Sequence, residues 1–208
     1  MSFTYSYVQP EEYHFSLDSI QASATIAELI RQNVPDLSKL SSWQVLDLCA
    51  GCGVMGFELS WHLREFRKFD FLEVQEIYQS YFQQNVKIIN RDEVQFNFIL
   101  ANYEQVRALH QYELIICNPP YFRVGQGKLS PSNFKNRCRF FIDSDFPKLI
   151  NSILTQLKPT GQAYLLLRPL DDHGRSIHEE LRGLIQGRAK FEVVGDIRGT
   201  ELVKITIH

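Results

Sequence analysis

Asn118-Pro119-Pro120-Tyr121 is the stretch whose residue types and order point to the most specific chemistry in the chain. Two successive prolines stiffen the backbone and remove two N–H donors, so what remains there are acceptors. The Asn118 side-chain carbonyl and the Pro119 main-chain carbonyl can both accept from an exocyclic NH2, while Tyr121 offers a ring face to a planar group. A planar amine is a poor nucleophile because its lone pair is delocalised. Two acceptors favour the state in which that nitrogen gains positive character, and fixed placement aligns it with an electrophile for in-line displacement. The scheme needs no general base, and the four residues hold neither an acid nor a histidine. The competing reading is an ordinary structural turn.

A second constellation precedes it. In Asp47-Leu48-Cys49-Ala50-Gly51-Cys52-Gly53-Val54-Met55-Gly56, glycines stand where an apolar run gives way to a helical pattern, so the backbone can turn sharply and let a ligand approach. No Lys follows them as in a phosphate loop, and Cys49 occupies the first place of a G-x-G-x-G pattern. About 20 residues further on, Glu73 ends a second apolar run, where an acid can accept from both hydroxyls of a ribose. The alternatives are glycines serving only helix-to-strand packing and a surface acid paired with a nearby base. Cys49 and Cys52 have the C-x-x-C spacing of a zinc site, but no second pair at similar spacing exists, so no metal is expected.

The elements that must position these residues alternate in the rhythm of a parallel sheet flanked by helices. Strands are predicted at 43–48, 69–74, 96–100, 114–117 and 163–167, and helices at 17–32, 54–64, through Tyr78, Phe82 and Val86, and from Ser144 or Asp145 until Lys158-Pro159-Thr160-Gly161. The runs 191–198 and 201–207, separated by Gly199-Thr200, read as an antiparallel hairpin. The expectation is a mostly parallel seven-stranded α/β sheet in a single domain over 1–208, with 1–42 an N-terminal lid and helix region. Ligands of such sheets bind beyond the carboxyl ends of the strands, and Asp47, Gly51, Glu73, Asn102 and Asn118 all fall along that edge.

Residues 122–143 lack a clear period and are too long for an idle connection. From Tyr121 to Ile142 they carry Arg123, Lys128, Lys135, Arg137 and Arg139 and no acid, interleaved with Tyr121, Phe122, Phe134, Phe140 and Phe141. Basic and aromatic residues in alternation suit stacking of splayed bases in single-stranded or loop RNA; the alternatives are a merely solubilising loop and, for Phe140 and Phe141, core residues that anchor its return. The whole chain, by contrast, is slightly acidic: 22 Lys and Arg against 24 Asp and Glu give a net charge of −2, which excludes a protein that is basic all over. With 44% hydrophobic residues among 208 there is ample material for one core. No apolar run of membrane length and no charged-then-apolar leader occurs, so a soluble cytoplasmic protein with reduced cysteines is the expectation.

At these motifs the chain resembles the class I methyltransferases with an Asn-Pro-Pro-Tyr motif, a Rossmann-like fold. Within them it is similar to the bacterial enzymes that methylate the exocyclic amine of an anticodon-loop adenine in valine tRNA. The resemblance covers nearly the whole chain and is most specific at His14-Phe15-Ser16-Leu17-Asp18-Ser19, at Leu72-Glu73-Val74-Gln75 with Asn85, and at Asn118 through Pro131. It implies S-adenosylmethionine as cofactor, held by Asp18, Asp47, Cys49, Gly51, Gly53, Glu73, Asn102 and Asn118. It also implies an adenine amine held by Asn118, Pro119, Pro120 and Tyr121. A tRNA partner would be gripped by Tyr121, Phe122, Arg123, Lys128, Arg137 and Arg139. The chain departs from the family pattern at Cys49, where a glycine is usual, at Asn102, where an Asp is common, and at Phe140-Phe141, in place of His-Glu. Rival readings are a protein glutamine methyltransferase, disfavoured by the roughly 40 residues before the first strand, a DNA methyltransferase, and a scaffold that keeps the fold without catalysis.

Overall fold

The computed structural model describes residues 4–14, 17–106, 109–125, 127–169 and 176–208. Phe15, Ser16 and Gln126, which belong to the motifs above, lie outside the described residues.

Seven strands form one sheet: β1 (Gln44–Leu48), β2 (Lys68–Glu73), β3 (Gln95–Leu100), β4 (Tyr112–Cys117), β7 (Leu157–Leu167), β8 (Ala189–Ile197) and β9 (Thr200–Ile207), in the order β3-β2-β1-β4-β7-β9-β8. β1, β2, β3, β4 and β7 run parallel, and β9 is antiparallel to both β7 and β8. β5 (Phe122–Arg123) and β6 (Phe140–Phe141) form a separate two-stranded parallel sheet. The expected mostly parallel sheet with a C-terminal hairpin is the one observed.

The central strands read as continuous apolar runs because both faces are covered. Val45, Leu114 and Ile116 pack on one side with Ile26 and Ile30 of α1 (Leu17–Asn33), Phe57 of α2 (Val54–His62) and Phe82 of α3 (Ile77–Ile89). Leu46, Ile115 and Cys117 point the other way, onto Leu149 and Ile153 of α5 (Phe146–Gln156) and Leu181 and Ile185 of α6 (Ile177–Ile185). The period of two along each strand thus assigns alternate side chains to two helical layers.

Three local features differ from the sequence reading. Residues 122–143 are not an irregular loop: β5 and β6 close it at the base, and α4 (Asn133–Arg139) fills it, started by Ser132, whose hydroxyl accepts from the Lys135 N–H at 3.3 Å. Seven residues are too few to display a period. β7 begins at Leu157 rather than 163, because Leu157 pairs with Tyr112 before the register breaks. Residues 158–161 bulge out of the ladder there, and a Cβ on Gly161 would meet Leu157 Cδ1 at 2.8 Å, which is why glycine stands at the bulge. α6 supplies the crossover between β7 and β8. Its buried stripe is only Leu181 and Ile185, a weak signal in a stretch rich in charge.

The segment before α1 is strapped across α2 and α3. The Thr4 hydroxyl and Tyr7 phenol donate to the buried Glu58 carboxylate at 2.7 and 2.6 Å. Asn85, with no exposed surface, accepts from the Val8 N–H at 2.7 Å and donates to the Val8 and Cys52 carbonyls at 3.0 and 3.1 Å. One amide therefore ties the strap to the glycine loop. Asn85→Ala leaves the buried Cys52 carbonyl and both backbone groups of the half-buried Val8 without their Asn85 partner and should lower stability in urea by about 1–3 kcal/mol, with proteolysis of residues 4–13 accelerating in parallel. Unchanged cleavage of that segment would show that the strap is held by other contacts.

Candidate active site

The five parallel strands present their carboxyl ends along one edge, and the residues that follow them surround a cavity of about 510 Å³. That volume falls in the range of pockets that take a small molecule or cofactor, about 300–1,000 Å³.

The turn from β1 into α2 forms one wall. Cys49, Gly51 and Gly53 all have positive φ, at 63, 54 and 89°, so a non-glycine residue stands at Cys49 in a conformation that favours glycine. Asp47, 1% exposed, accepts the Gly56 N–H through Oδ2 at 2.8 Å and so fixes the first turn of α2 beneath the loop. Glu73, 6% exposed at the end of β2, accepts from Gly51 N–H at 2.9 Å through one oxygen and from Val74 and Gln75 N–H at 2.9 and 2.8 Å through the other. Burial raises both carboxyls above the usual range; one backbone N–H opposes this at Asp47 and three oppose it at Glu73. Burial likewise pushes the Cys52 thiol up to about 12. All four cysteines are free, and among the described residues no cluster of three or more His, Cys, Asp or Glu is arranged to hold a metal ion.

Asn118 follows β4 directly and is held from both ends. Its Nδ2 donates to Ser19 Oγ on α1 at 2.9 Å, and its Oδ1 accepts the Tyr121 hydroxyl at 2.6 Å. A carbonyl oxygen has two lone pairs, so one acceptor site on Oδ1 remains beyond the Tyr121 bond. Pro119, Pro120, Tyr121 and Phe122 continue along the wall, and Asp18 stands on it at the start of α1, 3.6 Å from Arg198 Nε.

Of the residues expected at the site, the cavity wall gathers Asp18, Asp47, Cys49, Gly51, Glu73, Asn118, Pro119, Pro120, Tyr121, Phe122, Arg137 and Arg139. Gly53, Asn102, Arg123 and Lys128 are not on it. Gly53 is the N-cap of α2, where a Cβ would come within 2.6 Å of the Phe57 ring. Asn102 is turned to the chain: Nδ2 donates to the Asp143 carbonyl at 2.8 Å and Oδ1 accepts the Glu104 N–H at 3.0 Å. Arg123 pairs with Glu180 of α6, and Lys128 lies exposed. Arg137 points its guanidinium at Asp143, with Nε 2.9 Å from Oδ2 and Nη2 2.9 Å from Oδ1, which braces α4 against the end of β6.

The wall also holds Tyr13, Gln75, Tyr78, Cys138 and Arg168, which the sequence reading did not place at the site. Tyr78 and Cys138 meet side chain to side chain at 3.2 Å, closing α4 onto α3. Arg168 follows β7, and its place at a strand's carboxyl end is the signal that marks it.

Residues 15–133 match the family model of the methyltransferase small domain. The tRNA1(Val) (adenine(37)-N6)-methyltransferase of Aliivibrio fischeri (strain ATCC 700601 / ES114) is 29% identical over 133 residues, which is 60% of this chain and 51% of that protein. The protein of the same description from Shewanella loihica is 32% identical over 130 residues, 59% and 51% of the two chains. The chain spans about half the length of these curated relatives. Among solved structures, human methyltransferase 10 domain containing protein superposes with a TM-score of 0.62 at 15% identity, over 98% of this chain and 90% of that one. M. jannaschii TYW2 in complex with AdoMet gives 0.55 at 13% identity, over 94% and 77%. These two share the fold. With more than half of its length matching the family model, the chain belongs to the methyltransferase small domain family.

Proposed function

We propose that this protein is an S-adenosylmethionine-dependent methyltransferase acting on the exocyclic amine of an adenine in RNA, with tRNA as the RNA and the cytoplasm as its place of action. The observation that carries the reading is the convergence on one cavity of two chemically distinct walls: buried carboxylates with a glycine loop, and the Asn-Pro-Pro-Tyr acceptors. The names of the curated relatives support adenine in tRNA as the substrate.

The donor set suits the cofactor. Glu73 is a carboxylate anchored by three N–H groups, with one acceptor site left on Oε2 beyond the Gly51 bond for a ribose hydroxyl, and Asp18 and Asp47 offer acceptors for an ammonium group. Gly51, with positive φ, lets the ligand approach the main chain. When bound, S-adenosylmethionine supplies an electrophilic methyl group on a sulfonium. The free lone pair of Asn118 Oδ1 and the Pro119 carbonyl accept from the two amine hydrogens, which draws positive character onto the nitrogen. Tyr121 locks the Asn118 amide through its hydroxyl, and burial holds that phenol protonated well above neutrality, so it remains a donor. Ser19 fixes the other end of the amide. The proton lost by the product nitrogen leaves to solvent, since no side chain at the motif is a base.

Radiolabelled methyl transfer to total tRNA and to total protein from a strain lacking the gene tests the reading. Label is expected in tRNA, as N6-methyladenosine; label in protein alone would overturn it.

The buried carboxyls add a pH signature. Ionised Glu73 accepts a ribose hydroxyl best, so affinity for S-adenosylhomocysteine should fall as pH drops through its raised pKa, and Glu73→Gln should flatten that slope. The fold responds in the opposite sense. Asp47 and Glu73 hold protons more tightly folded than unfolded, so their contribution to stability is full below the ordinary carboxylate range and is lost as pH rises through the raised values. Calorimetric titration and urea unfolding between pH 4 and 8 (about the span of carboxylate titration) should therefore slope oppositely.

A further inference from the structure

Four arginines stand around the Tyr121–Asp143 excursion, and the structure divides them into two kinds. Arg123 and Arg137 each pair with a carboxylate, Glu180 and Asp143. Arg139 and Arg168 do not: among the described residues, neither makes an ion pair or a hydrogen bond. Both are exposed, both line the cavity wall, and both lie over aromatic rings. The Arg168 guanidinium carbon is 5.0 Å from the centre of the Phe122 ring and 5.3 Å from that of Tyr121. That of Arg139 is 5.5 Å from Phe122 and 5.6 Å from Phe140.

A guanidinium held beside aromatic rings by cation–π attraction spends none of its N–H groups on a hydrogen bond, and in their plane these match two oxygens of a phosphate. Ring contact also restrains a long side chain before any ligand arrives, which lowers the ordering cost of binding. Of the cavity's carboxylates, Asp47 and Glu73 lie at the β1 and β2 end, Asp143 is paired with Arg137, and Asp18 stands 3.6 Å from Arg198; at the β5 and β7 end, beside Tyr121 and Phe122, Arg168 and Arg139 are left without a carboxylate partner among the described residues.

We propose that Arg168 and Arg139 form a phosphodiester-binding subsite, gripping the RNA backbone next to the adenine that Asn118 and Tyr121 hold. This rests on the RNA reading above and deepens it. Arg168, which contacts the Tyr121 ring itself, sets the distance between backbone and target base. It is a substrate-positioning residue.

The test is a double substitution across the interface. An RNA hairpin carrying the target adenine is made with the phosphate on its 5′ side, or separately its 3′ side, replaced by a neutral methylphosphonate. Methyl transfer is followed with wild type, Arg168→Ala, Arg168→Lys and Arg139→Ala. Neutralising one of the two phosphates should raise the wild-type KM about tenfold, the worth of one charge-assisted contact. The same RNA should give Arg168→Ala no further rise in KM, and Arg168→Lys, keeping charge but losing the planar fork, should recover part of the loss. The dependence of binding on log salt should flatten by about one in Arg168→Ala. S-adenosylhomocysteine affinity should stay at the wild-type value in each variant. Equal, additive losses on charged and neutral RNA would overturn the subsite, as would a matching loss of S-adenosylhomocysteine affinity, which would mark a folding role. If wild type methylates protein and no RNA, the substrate reading fails and the subsite with it. If it methylates RNA with full additivity, only the subsite fails.

Discussion

Asn118→Ala is expected to slow methyl transfer by roughly a thousandfold, the scale of removing one preorganised acceptor or donor at a developing charge. S-adenosylhomocysteine affinity should change far less than the rate. The substitution removes the side-chain acceptor and frees both groups that orient it, Ser19 Oγ and the Tyr121 hydroxyl. Asn118→Asp keeps an acceptor and adds a full negative charge where the amine is held, so it tests acceptor strength apart from shape. Tyr121→Phe leaves the Asn118 carbonyl in place and deletes only its lock. It should cost about tenfold, the worth of one hydrogen bond to a group that stays roughly placed. Single-turnover rates with saturating cofactor decide the matter. A rate in Asn118→Ala within tenfold of wild type would move the chemistry away from this motif.

The second large effect concerns the floor beneath the glycine loop. The fully buried Phe71 ring packs 4.8 Å, centre to centre, from both Phe57 and Phe82, and fills the space beneath Gly56. Phe71→Ala should cost about 3–5 kcal/mol in urea unfolding, as loss of a buried aromatic ring does. A Cβ on Gly56 would come 2.5 Å from Phe71 Cε1 and 3.1 Å from Asp47 Oδ2. Gly56→Ala must therefore displace the ring, the tilted rings packed against it and the carboxylate that fixes the turn, at about 1–3 kcal/mol, and cofactor affinity should fall with it. The two substitutions interact: once the ring is gone, the added methyl has room, and Gly56→Ala should cost much less in the Phe71→Ala background. Additive losses would mean that the ring does not set the height of the loop.

Legibility in the sequence followed the range of the interaction. β1, β2, β3 and β4 are found within one or two residues of their predicted bounds: the central strands β1 and β4 show as largely apolar runs because both faces are covered, and the edge strand β3 shows through its Phe96, Phe98 and Ile99. The edge that Asp47, Glu73 and Asn118 share follows from those runs ending where they do. α5 was legible at its start because Asp145 caps it and Pro147 suits its first turn. α4 and α6 carried too little buried stripe to be seen.

The site divides along the same line. Residue types and spacing along the chain determined the alternating α/β order, the strand edge, the sharp turn at the glycines and the acceptor-rich Asn-Pro-Pro-Tyr segment, since each depends on backbone conformation or side-chain chemistry within a few positions. Only the tertiary structure decided which polar groups face the cavity and which are spent on the chain itself. Asn102 went to the Asp143 carbonyl, Arg137 to the Asp143 carboxylate and Arg123 to Glu180, whereas Arg168 and Arg139 settled on aromatic rings. Those choices pair residues up to 57 positions apart. They are made by which oppositely charged or flat surface the packed layers bring within about 4–6 Å, a distance in space that spacing along the chain does not encode.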